Sequence, residues 1–503
     1  MRRLFLTLLL IPSLALGAFT EFYCDATNGS NLNSGSDAGT SVYTSTNGNW
    51  SITTHIFTPT DGSNPATASP GVAVGQFASI YIDGATTAVC TARVTTVVNA
   101  TNGAITVSSS AVAGTFPTTS ATTRTIKVGG CWKGPNGGNN FPFSVAAGLG
   151  SMNNATDSGG DRPRINLKNN ASYSISTVLT SNNMSGVTIQ GYASTPGDGA
   201  TNPSNKATID GSTNTINLLN SSSTNVEYAD LIFVSSAASG TTDNVNASSG
   251  AGTLFRRCIS HGARRAGFNS AAGMAFIECE AYSNNGSNTA SFGGFTSSSI
   301  VAVRCYSHDN TGSNVDGFFE STSSGVPTTF LNCISDSNGR VGFNLNVAGN
   351  AITSVQNCDA YNNGSDGIKT LTGNVSIRIE NTNLIKNGGW GINSLVSNSS
   401  VPVMVDNCGY GAGTQVNGSG DSTGSITESG KVTYPSNATP YFAPTTGDFR
   451  INSTSALGAG RGAFTQTGNS KTGTVGYPDI GAAQSLTGPG GTFSKEVSGG
   501  SAQ

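Results

Sequence analysis

The 503-residue chain is poor in charge. Only 10% of its residues are Asp, Glu, Lys or Arg, and it has three histidines and a net charge of −3. A typical soluble domain has about 25% charged residues. Because nucleic-acid-binding proteins neutralise phosphates with a basic patch, this composition argues against nucleic acid as a partner. A locally basic groove for a polyanion is still compatible with it.

Long apolar runs are missing beyond the start of the chain. Residues 1–18 begin with two arginines, continue with a short apolar stretch interrupted by Pro12, and end in Gly17 and Ala18. This order is typical of a secretory signal peptide, and the run is too short for a membrane anchor. We therefore expect a cleaved signal peptide at 1–18 and no transmembrane segment in the mature chain. The protein would be secreted, on the cell surface or periplasmic.

Several familiar site signatures are also missing from the sequence. There is no C-x2-C pair of the kind that binds zinc. No nucleophilic-serine, phosphate-cradling or dinucleotide-binding pattern rises above chance, because glycine is so abundant, with 66 residues. The chemistry of common metal and nucleotide enzymes is therefore not indicated.

A column of cysteines at nearly constant spacing is present instead. The steps between them are 21, 26, 28, 25 and 50 residues. The cysteines are Cys258, Cys279, Cys305, Cys333, Cys358 and Cys408. The long step spans two periods, and Asn383 stands in a matching context at the skipped position. A fixed period of 20 to 50 residues indicates stacked units that share one core.

A second column consists of asparagines five residues after four of these cysteines. They are Asn284, Asn310, Asn338 and Asn363. Asparagine tolerates the left-handed backbone of turns, and stacked Asn side chains bond from layer to layer. The apolar runs between the turns are only three to five residues long, without a helical period. Leucine-rich repeats and propeller blades do not fit this spacing, so the sequence predicts a parallel β-helix with three short strands per coil.

The repeated units resemble those of the right-handed parallel β-helix proteins, whose best-known enzymes act on polysaccharides. The segment 22–35 is similar to the opening of many secreted members, and segments 448–450 and 478–482 are similar to their closing segment. The resemblance implies an all-β, right-handed parallel β-helix with an N-terminal β cap and a C-terminal closing segment. It also implies an extracellular polysaccharide as partner.

These patterns predict five regions. Residues 1–18 are the signal peptide, and 19–150 form the N-terminal β cap and opening region, with a hairpin at Asn102-Gly103. Residues 151–410 form the coils, which are most regular over 258–410. Residues 411–484 close the stack, and 485–503 form a flexible tail.

The cysteines of the column are expected to be buried free thiols that act as small apolar side chains. Neighbours one coil apart would be close enough for a disulfide, but parallel in-register side chains rarely reach the required dihedral angle. Cys24, Cys90 and Cys131 lie outside the column and could pair in an exported protein.

A first group of candidate site residues is acidic. Asp316 and Asp366 precede equivalent Gly-aromatic and Gly-Ile pairs two coils apart, ~9.6 Å along the axis, and Asp309 and Glu320 belong to the Asp316 coil. Asp309, Asp316 and Asp366 are candidate ligands for Ca²⁺. Asp316 and Asp366 are also candidates for the acid and base of an inverting glycosidase, whose carboxyl groups stand ~6.5–9.5 Å apart. The alternative is that Asp before Gly is favourable turn chemistry, repeated because the turn repeats.

A second group centres on Lys369, three residues after Asp366. A carboxylate, a cation and a lysine together resemble the site of family-nine pectate lyases, where Ca²⁺ acidifies the sugar C5 proton and a lysine removes it. The resemblance implies Lys369 as catalytic base and Ca²⁺ as cofactor. This chain departs from the pattern because residues 364–367 offer one acidic side chain rather than several. The alternative is a solubilising surface lysine.

A third group is basic. Arg264, Arg265 and Arg340 are predicted in or beside one turn column, and arginine forks suit uronate carboxylates. His261 and His308 each stand three residues after a cysteine, so His261 is a candidate base and His308 a candidate substrate ligand. Separate surface roles are the alternative.

Two aromatic residues and two functions complete the predictions. Phe319 and Trp390 would stack on sugar faces if exposed, or pack in turns if not. The first function is a non-catalytic or adhesive extracellular β-helix that binds polysaccharide. The alternative is a lyase or hydrolase acting on acidic glycans such as pectate or alginate, which rests on fold-level analogy.

Overall fold

The structure is a computed structural model. It describes residues 19–28, 42–82, 88–131, 162–181, 186–200, 202–221, 225–236, 240, 242–247, 252–270, 273–285, 292–320, 327–346, 352–370, 376–394, 403–411, 416–417, 426–434, 441–446 and 448–451. The chain divides into two units, which are treated separately. The first contains Met1–Ala171 and Thr180–Gln190, and the second contains Ser172–Leu179 and Gly191–Gln503.

The first unit contains a closed antiparallel barrel of six strands. In chain order they are Tyr43–Ser51, Ile56–Pro59, Phe77–Tyr81, Ala88–Val97, Ile105–Gly114 and Ala121–Val128. Trp50, Phe57 and Ile80 belong to its buried core. The predicted hairpin at Asn102-Gly103 is confirmed, because the strands on either side of it pair antiparallel.

The barrel is inserted in sequence between two parallel strands of the same unit. Phe19–Asp25 pairs in parallel with Arg162–Lys168. The opening segment is therefore itself a strand of the β-helix type, and the barrel follows it. The role of residues 19–150 as a cap stays a prediction.

The second unit is a parallel β-solenoid, which confirms the predicted β-helix; the protein has about 8 turns. Each coil contributes one short strand to each of three parallel sheets. Within a coil the chain passes first through sheet A, then through sheet C and last through sheet B. Sheet A of this unit comprises Glu227–Ala229, Leu254–Arg256, Met274–Ile277, Ile300–Val303, Thr328–Leu331, Ile352–Gln356, Ser376–Glu380, Val403–Asp406 and Ile426–Ser429.

Sheets C and B follow in each coil. Sheet C comprises Tyr173–Ser174, Ala207–Asp210, Leu231–Val234, Ile259–His261, Glu280–Tyr282, Tyr306–His308, Ile334–Asp336, Asp359–Tyr361, Asn383–Ile385, Gly409–Tyr410 and Val432–Thr433. Sheet B comprises Leu219–Ser221, Val245–Ala247, Phe268–Ser270, Phe292–Ser297, Val315–Glu320, Phe343–Leu345, Ile368–Thr370, Ile392–Ser394 and Val416–Asn417.

A few short elements complete the described structure. Two further strands are Leu179–Ser181 and Thr188–Tyr192, and Tyr441–Ala443 pairs antiparallel with Asp448–Ile451. Three 3-10 helices cover Asp198–Ala200, Pro203–Asn205 and Pro444–Thr446. Within the described residues, no helix is both long and apolar enough to cross a membrane.

The corner between sheets A and C explains the cysteine column. The residue before each cysteine of the column has a left-handed backbone, with φ between 50 and 56°. Such a residue reverses the chain sharply, so the next side chain points into the core. Cys258 is fully buried, and its thiol lies 3.4 Å from the carbonyl oxygen of Tyr228 in the coil below and 3.6 Å from that of Arg256. A small side chain with a weak donor therefore fits this corner.

The six cysteines of the column are buried free thiols, as predicted. Burial raises the pKa of the Cys305 thiol well above its ordinary value, so this thiol stays protonated. The assignment of the skipped position to Asn383 was wrong. Asn383 pairs with Asp359, so Thr382 is the residue aligned with Cys358. Its hydroxyl donates to the Glu380 carbonyl at 2.9 Å, taking the place of the thiol.

The asparagine column forms a continuous internal ladder. Each side-chain amide donates to the side-chain oxygen of the Asn in the next coil, at 2.9 Å from Asn284 to Asn310, 2.7 Å to Asn338, 3.0 Å to Asn363 and 2.9 Å to Asn387. All five asparagines are buried. Because each amide is both donor and acceptor, the ladder keeps these polar groups satisfied inside the coil and confirms the predicted stacking.

The core beside sheet B is a stack of phenylalanines. Phe268, Phe295, Phe318 and Phe343 lie in successive coils with ring centres 5.2, 5.0 and 4.9 Å apart. In-register strands ~4.8 Å apart impose this spacing, which suits stacked aromatic rings.

The C-terminal part of the described chain packs on the outer face of sheet C. Tyr434, Tyr441 and Phe449 form a buried cluster with sheet C residues, among them Tyr306 and Tyr361. The predicted closing role of residues 448–450 is consistent with this position. The predicted signal peptide (1–18), the segment 478–482 and the tail (485–503) lie outside the described residues.

Candidate functional site on sheet B

The outer face of sheet B carries a column of mostly polar side chains. They occupy equivalent positions of successive strands and are paired in register from coil to coil. In order they are Asn220, Asn246, Asn269, Thr296, Phe319, Asn344, Lys369 and Asn393. Eight positions at the strand spacing make a column roughly 34 Å long. We call it the sheet B column.

One residue of the column, Asn344, is held by a buried aspartate that also binds an arginine and a backbone N–H of the next coil. We call this arrangement an aspartate clamp. The Asp316 carboxylate accepts hydrogen bonds from Arg340 Nε at 2.7 Å, the Val341 backbone N–H at 3.1 Å and Asn344 Nδ2 at 2.8 Å. The second terminal nitrogen of Arg340 contacts the other carboxylate oxygen, which makes the pair bidentate. Burial raises the pKa of Asp316, while Arg340 and the other donors oppose that shift. The clamp therefore joins two coils through a buried, multiply bonded carboxylate.

The same clamp occurs three coils earlier. Asp243 accepts from Arg265 Nε at 2.7 Å, the Ala266 N–H at 3.0 Å and Asn269 Nδ2 at 2.8 Å. Asp243 is fully buried, and the ring of Phe292 lies 4.5 Å from the Arg265 guanidinium. Arg265 and Arg340, predicted to bind uronate carboxylates of a substrate, instead bind carboxylates of the protein itself. Their use for a substrate is not tested.

A third copy of the clamp, at Asp366, lacks its arginine. Asp366 accepts from the Trp390 N–H and from Asn393 Nδ2, both at 2.8 Å. Gly389 stands where the other two clamps have arginine. Asp366 is nonetheless buried, with 3% of its surface exposed.

The predicted acidic group is spread over different parts of the coil. Asp316 and Asp366 share one column two coils apart, whereas Asp309 lies at the corner after sheet C. Among the residues that the structure describes, no group of three or more His, Cys, Asp or Glu side chains lies close enough to hold a metal ion. The Ca²⁺ site and the acid–base pair therefore receive no geometric support from these positions.

Lys369 lies on the outer face as predicted, in register between Asn344 and Asn393. Its side chain is half-buried, and it forms no ion pair with any described carboxylate. It is the cation of the sheet B column. A catalytic role for it is not tested.

The two predicted histidines lie on a different sheet from the arginines. His261 and His308 occupy one column on the outer face of sheet C, with Tyr282 between them in register. The ring centres are 4.7 Å apart for His261 and Tyr282, and 5.1 Å apart for Tyr282 and His308. Burial lowers the pKa of His261 and nearby carboxylates oppose that shift, so His261 is neutral at pH 7.

His308 is held between two carboxylates. Its ring nitrogens lie 2.9 Å from Asp309 Oδ2 and 2.9 Å from Glu280 Oε1. Burial alone would lower the pKa of His308, but these two partners outweigh it and raise the pKa to about 9. The same contact lowers the pKa of Asp309. Burial raises the pKa of the nearby Asp336 to about 6.

The remaining predicted residues are buried or half-buried. Phe319 is 8% exposed, so only its edge reaches the surface of the sheet B column. Trp390 is half-buried next to Asp366 and contributes its backbone N–H to the clamp. Arg264 is half-buried as well, and its buried Nε has no hydrogen-bond partner in the described structure. A stacking or binding role for these three residues remains a prediction.

Sequence reasoning missed the asparagines of the clamps. They follow the clamp arginine, or Gly389, by four residues, in the strings RAGFN, RVGFN and GWGIN. Aligning on the Gly-aromatic or Gly-Ile pair rather than on the cysteine would have identified Asn269, Asn344 and Asn393. Asp243 was missed because its coil has no cysteine.

Comparison with known proteins finds similar solved structures but no related sequence. Neither a protein-family model nor a curated protein matches the sequence. Among solved structures, the chain is similar to pectate lyase Pel9A at 16% identity and a TM-score of 0.38, covering 64% of this chain and 88% of that one. It is also similar to the A-module of the Azotobacter vinelandii mannuronan C-5 epimerase AlgE4 at 13% identity and a TM-score of 0.33, covering 54% of this chain and 86% of that one. Identities this low concern the fold alone.

Proposed function

We propose that this protein is an extracellular, non-catalytic polysaccharide-binding β-helix, and that the sheet B column is its binding face. The observation that carries the proposal is the in-register column along eight coils, in which amide and ammonium groups are half-buried at Asn220, Asn246, Asn269, Lys369 and Asn393. Such a line offers hydrogen bonds at a spacing of ~4.8 Å, close to the length of one sugar unit in an extended chain.

The clamps support this proposal because they orient the amides. Asn269 and Asn344 each donate their Nδ2 to a buried aspartate, so each carbonyl oxygen points away from that carboxylate. Asn269 is half-buried, so its oxygen is the acceptor that reaches the surface, whereas the Asn344 oxygen, which has no partner among the described residues, is itself buried. A preorganised acceptor of this kind suits a sugar hydroxyl, since little ordering is required on binding.

Lys369 gives the face a preference for negatively charged ligands. It stands next to Asn344 and forms no ion pair with a described residue. Its ammonium group attracts a uronate carboxylate, and a chain with only 10% charged residues offers few competing charges. Acidic polysaccharides are therefore the expected ligands.

The non-catalytic form is preferred because the carboxylates of this face are used internally. Asp316 is bonded by Arg340, Val341 and Asn344, and a general acid or base must instead reach the substrate proton. The lyase or hydrolase alternative would rely on Lys369 without a described metal group beside it.

Affinity electrophoresis of the full chain in gels containing pectate, alginate or a neutral glucan tests the proposal. We expect the uronate polymers to retard the wild type. For Lys369→Gln the Kd should rise at least about tenfold, since one charge-assisted contact is worth about 1.5–3 kcal/mol. Arg378→Gln, which removes an exposed charge on sheet A, is the matched control and should bind as the wild type does. Equal retardation of the wild type and Lys369→Gln would overturn the assignment of the face.

The same preparations separate binding from catalysis. The absorbance of unsaturated products and the number of reducing ends are followed with and without Ca²⁺. Binding without either product supports the proposal, whereas products that disappear in Lys369→Gln would establish the lyase alternative.

A further inference from the structure

The three aspartate clamps of sheet B differ in one residue. In the clamps of Asp243 and Asp316, each carboxylate oxygen accepts two hydrogen bonds, one from the arginine fork and one from a backbone N–H or an asparagine. In the third clamp, each Asp366 oxygen accepts one hydrogen bond from the described residues, Oδ1 from the Trp390 N–H and Oδ2 from Asn393. The two bonds that an arginine supplies elsewhere are missing.

The backbone around the third clamp is otherwise equivalent. The N–H of Arg340 donates to the Val315 carbonyl at 2.9 Å, and the N–H of Gly389 donates to the Ser365 carbonyl at 2.7 Å. The glycine therefore occupies the arginine position without a change of register. A Cβ there would lie 2.5 Å from Asp366 Oδ1, so the carboxylate has moved towards the space that a side chain would occupy.

This position opens to solvent. Gly388 and Gly389 are exposed, whereas Asp366 behind them is only 3% exposed. Lys369, on the same strand, makes no ion pair with Asp366 and does not fill the position. The result is a buried carboxylate, already oriented by two donors, which lies behind exposed glycine backbone on the side where its siblings hold a guanidinium.

We propose that the Asp366 clamp is a receptor for an external guanidinium group, supplied by a small guanidinium compound or by an arginine side chain of a partner. The planar fork matches the two vacant lone-pair directions, as it does at Asp243 and Asp316. A metal ion fits less well, because the other groups facing the carboxylate are N–H donors and Ca²⁺ requires several oxygen ligands. This inference does not depend on the proposed function.

Binding of methylguanidinium to the full chain, followed by saturation-transfer NMR on its methyl protons, tests the proposal. We expect saturable binding to the wild type at one site, weakened at least about tenfold by Asp366→Asn. Gly389→Arg should also abolish binding, because it supplies the missing fork in cis, as Arg340 does. Arg378→Gln keeps both Asp366 and Gly389 and removes an exposed charge on sheet A, so it should bind as the wild type does.

Arg340→Gly provides an internal standard. This variant places a glycine beside Asp316, as Gly389 stands beside Asp366, so it should gain a second methylguanidinium site. Addition of methylguanidinium should restore part of the thermal stability that the substitution removes. Tetramethylammonium, which has no N–H, should not restore it. Nα-acetyl-arginine methylamide distinguishes the two sources. Its binding supports a protein arginine, and its exclusion while methylguanidinium binds supports a small ligand. Wild-type binding that is absent, or unchanged in both Asp366→Asn and Gly389→Arg, would overturn the proposal even if Arg340→Gly is rescued.

Discussion

The outer faces of sheets B and C are built in different ways. On sheet B, the groups of one coil are held by the next coil, as Asp316 is held by Arg340 and Asn344. On sheet C, the later coils are covered by a distant segment that contains Tyr441 and Phe449. A repeat therefore specifies the first face locally, whereas the second depends on contacts between residues far apart in sequence.

This difference bears on where a long ligand is able to lie. The sheet B column continues over eight coils, with half-buried polar groups at both ends and buried side chains at Thr296, Phe319 and Asn344 in its centre. The uncovered part of the sheet C face is limited to its earlier coils, where His261, Glu280 and Tyr282 are half-buried.

The largest effect is expected from Phe449→Ala, which breaks the cover of sheet C. Phe449 is fully buried and its ring packs against Tyr306, Tyr361 and Tyr441. Removing a buried phenylalanine costs about 3 to 5 kcal/mol. Urea denaturation measures the loss, and hydrogen exchange should rise in sheet C but not in sheet B. Met404→Ala, at an exposed position on sheet A, is the control; equal exchange in both sheets would contradict the separation of the faces.

Arg340→Ala is the corresponding change on sheet B. It leaves the fully buried Asp316 carboxylate without its main partner, and breaking such a pair costs about 3 to 5 kcal/mol. Arg256→Ala removes a partly exposed pair with Glu227 and should cost below about 1 kcal/mol. The free energy of unfolding of both variants is measured in urea. If Asp316→Asn combined with Arg340→Ala is no more stable than Arg340→Ala alone, the cost does not come from the stranded charge.

The sequence was sufficient for what repeats once per coil. The Cys and Asn columns set the period and therefore the β-helix, because each residue in them meets its own equivalent in the next coil. The error at Asn383 arose because the cysteine alone was used for alignment; Asn387, five residues after Thr382, indicates the correct register.

The candidate site was less predictable, because pairing between coils decides which face a side chain serves. Asp316 and Arg340 were assigned to different groups, yet they form one clamp across 24 residues. The cover over sheet C was foreseen only as a closing segment near 448–450. The hydrogen bond from Tyr441 to Asp359 joins residues 82 positions apart, and no local pattern encodes such a contact.

Glu320→Gln should alter the pH dependence of stability. Glu320 lies fully buried at the end of a sheet B strand and accepts hydrogen bonds from Thr328 at 2.6 Å and Thr353 at 3.3 Å. Burial raises its pKa from 4.5 to about 7 despite these donors. The unfolded chain therefore releases this proton first, and wild-type stability falls as pH rises from 4.5 through 7, by at most about 3 kcal/mol.

The glutamine variant cannot ionise, so it should lose this dependence and be relatively more stable at pH 8. Unfolding free energies of both proteins at pH 4.5 to 8 give the difference. Parallel profiles for the wild type and Glu320→Gln would show that Glu320 does not ionise within this range.

His308 should give the same direction of change at higher pH, on sheet C. Its pKa is raised from 6.5 to about 9, so its contribution is complete below pH 6.5 and is lost as pH rises through 9. The groups that face it are Glu280, Tyr282, Tyr306 and Asp309, with Asp336 nearby. Because Asp309 is largely exposed, we expect about 1 to 2 kcal/mol. His308→Gln should lack the decline between pH 6.5 and 9, and an equal decline in both proteins would assign it to other groups.

The smallest effect is expected from Tyr441→Phe, which tests the cover of sheet C without disturbing its packing. The Tyr441 hydroxyl donates to Asp359 Oδ1 at 2.6 Å, and Asn383 donates to the same oxygen at 3.0 Å. Because Asn383 keeps that oxygen bonded when the hydroxyl is removed, the cost should be near the usual value of about 1 kcal/mol for one hydrogen bond. Urea denaturation gives this value, and Tyr434→Phe, which removes a 2.6 Å bond to the Asn383 oxygen, is the matched comparison. A loss as large as that of Phe449→Ala would mean that hydrogen bonding, rather than aromatic burial, holds the cover on sheet C.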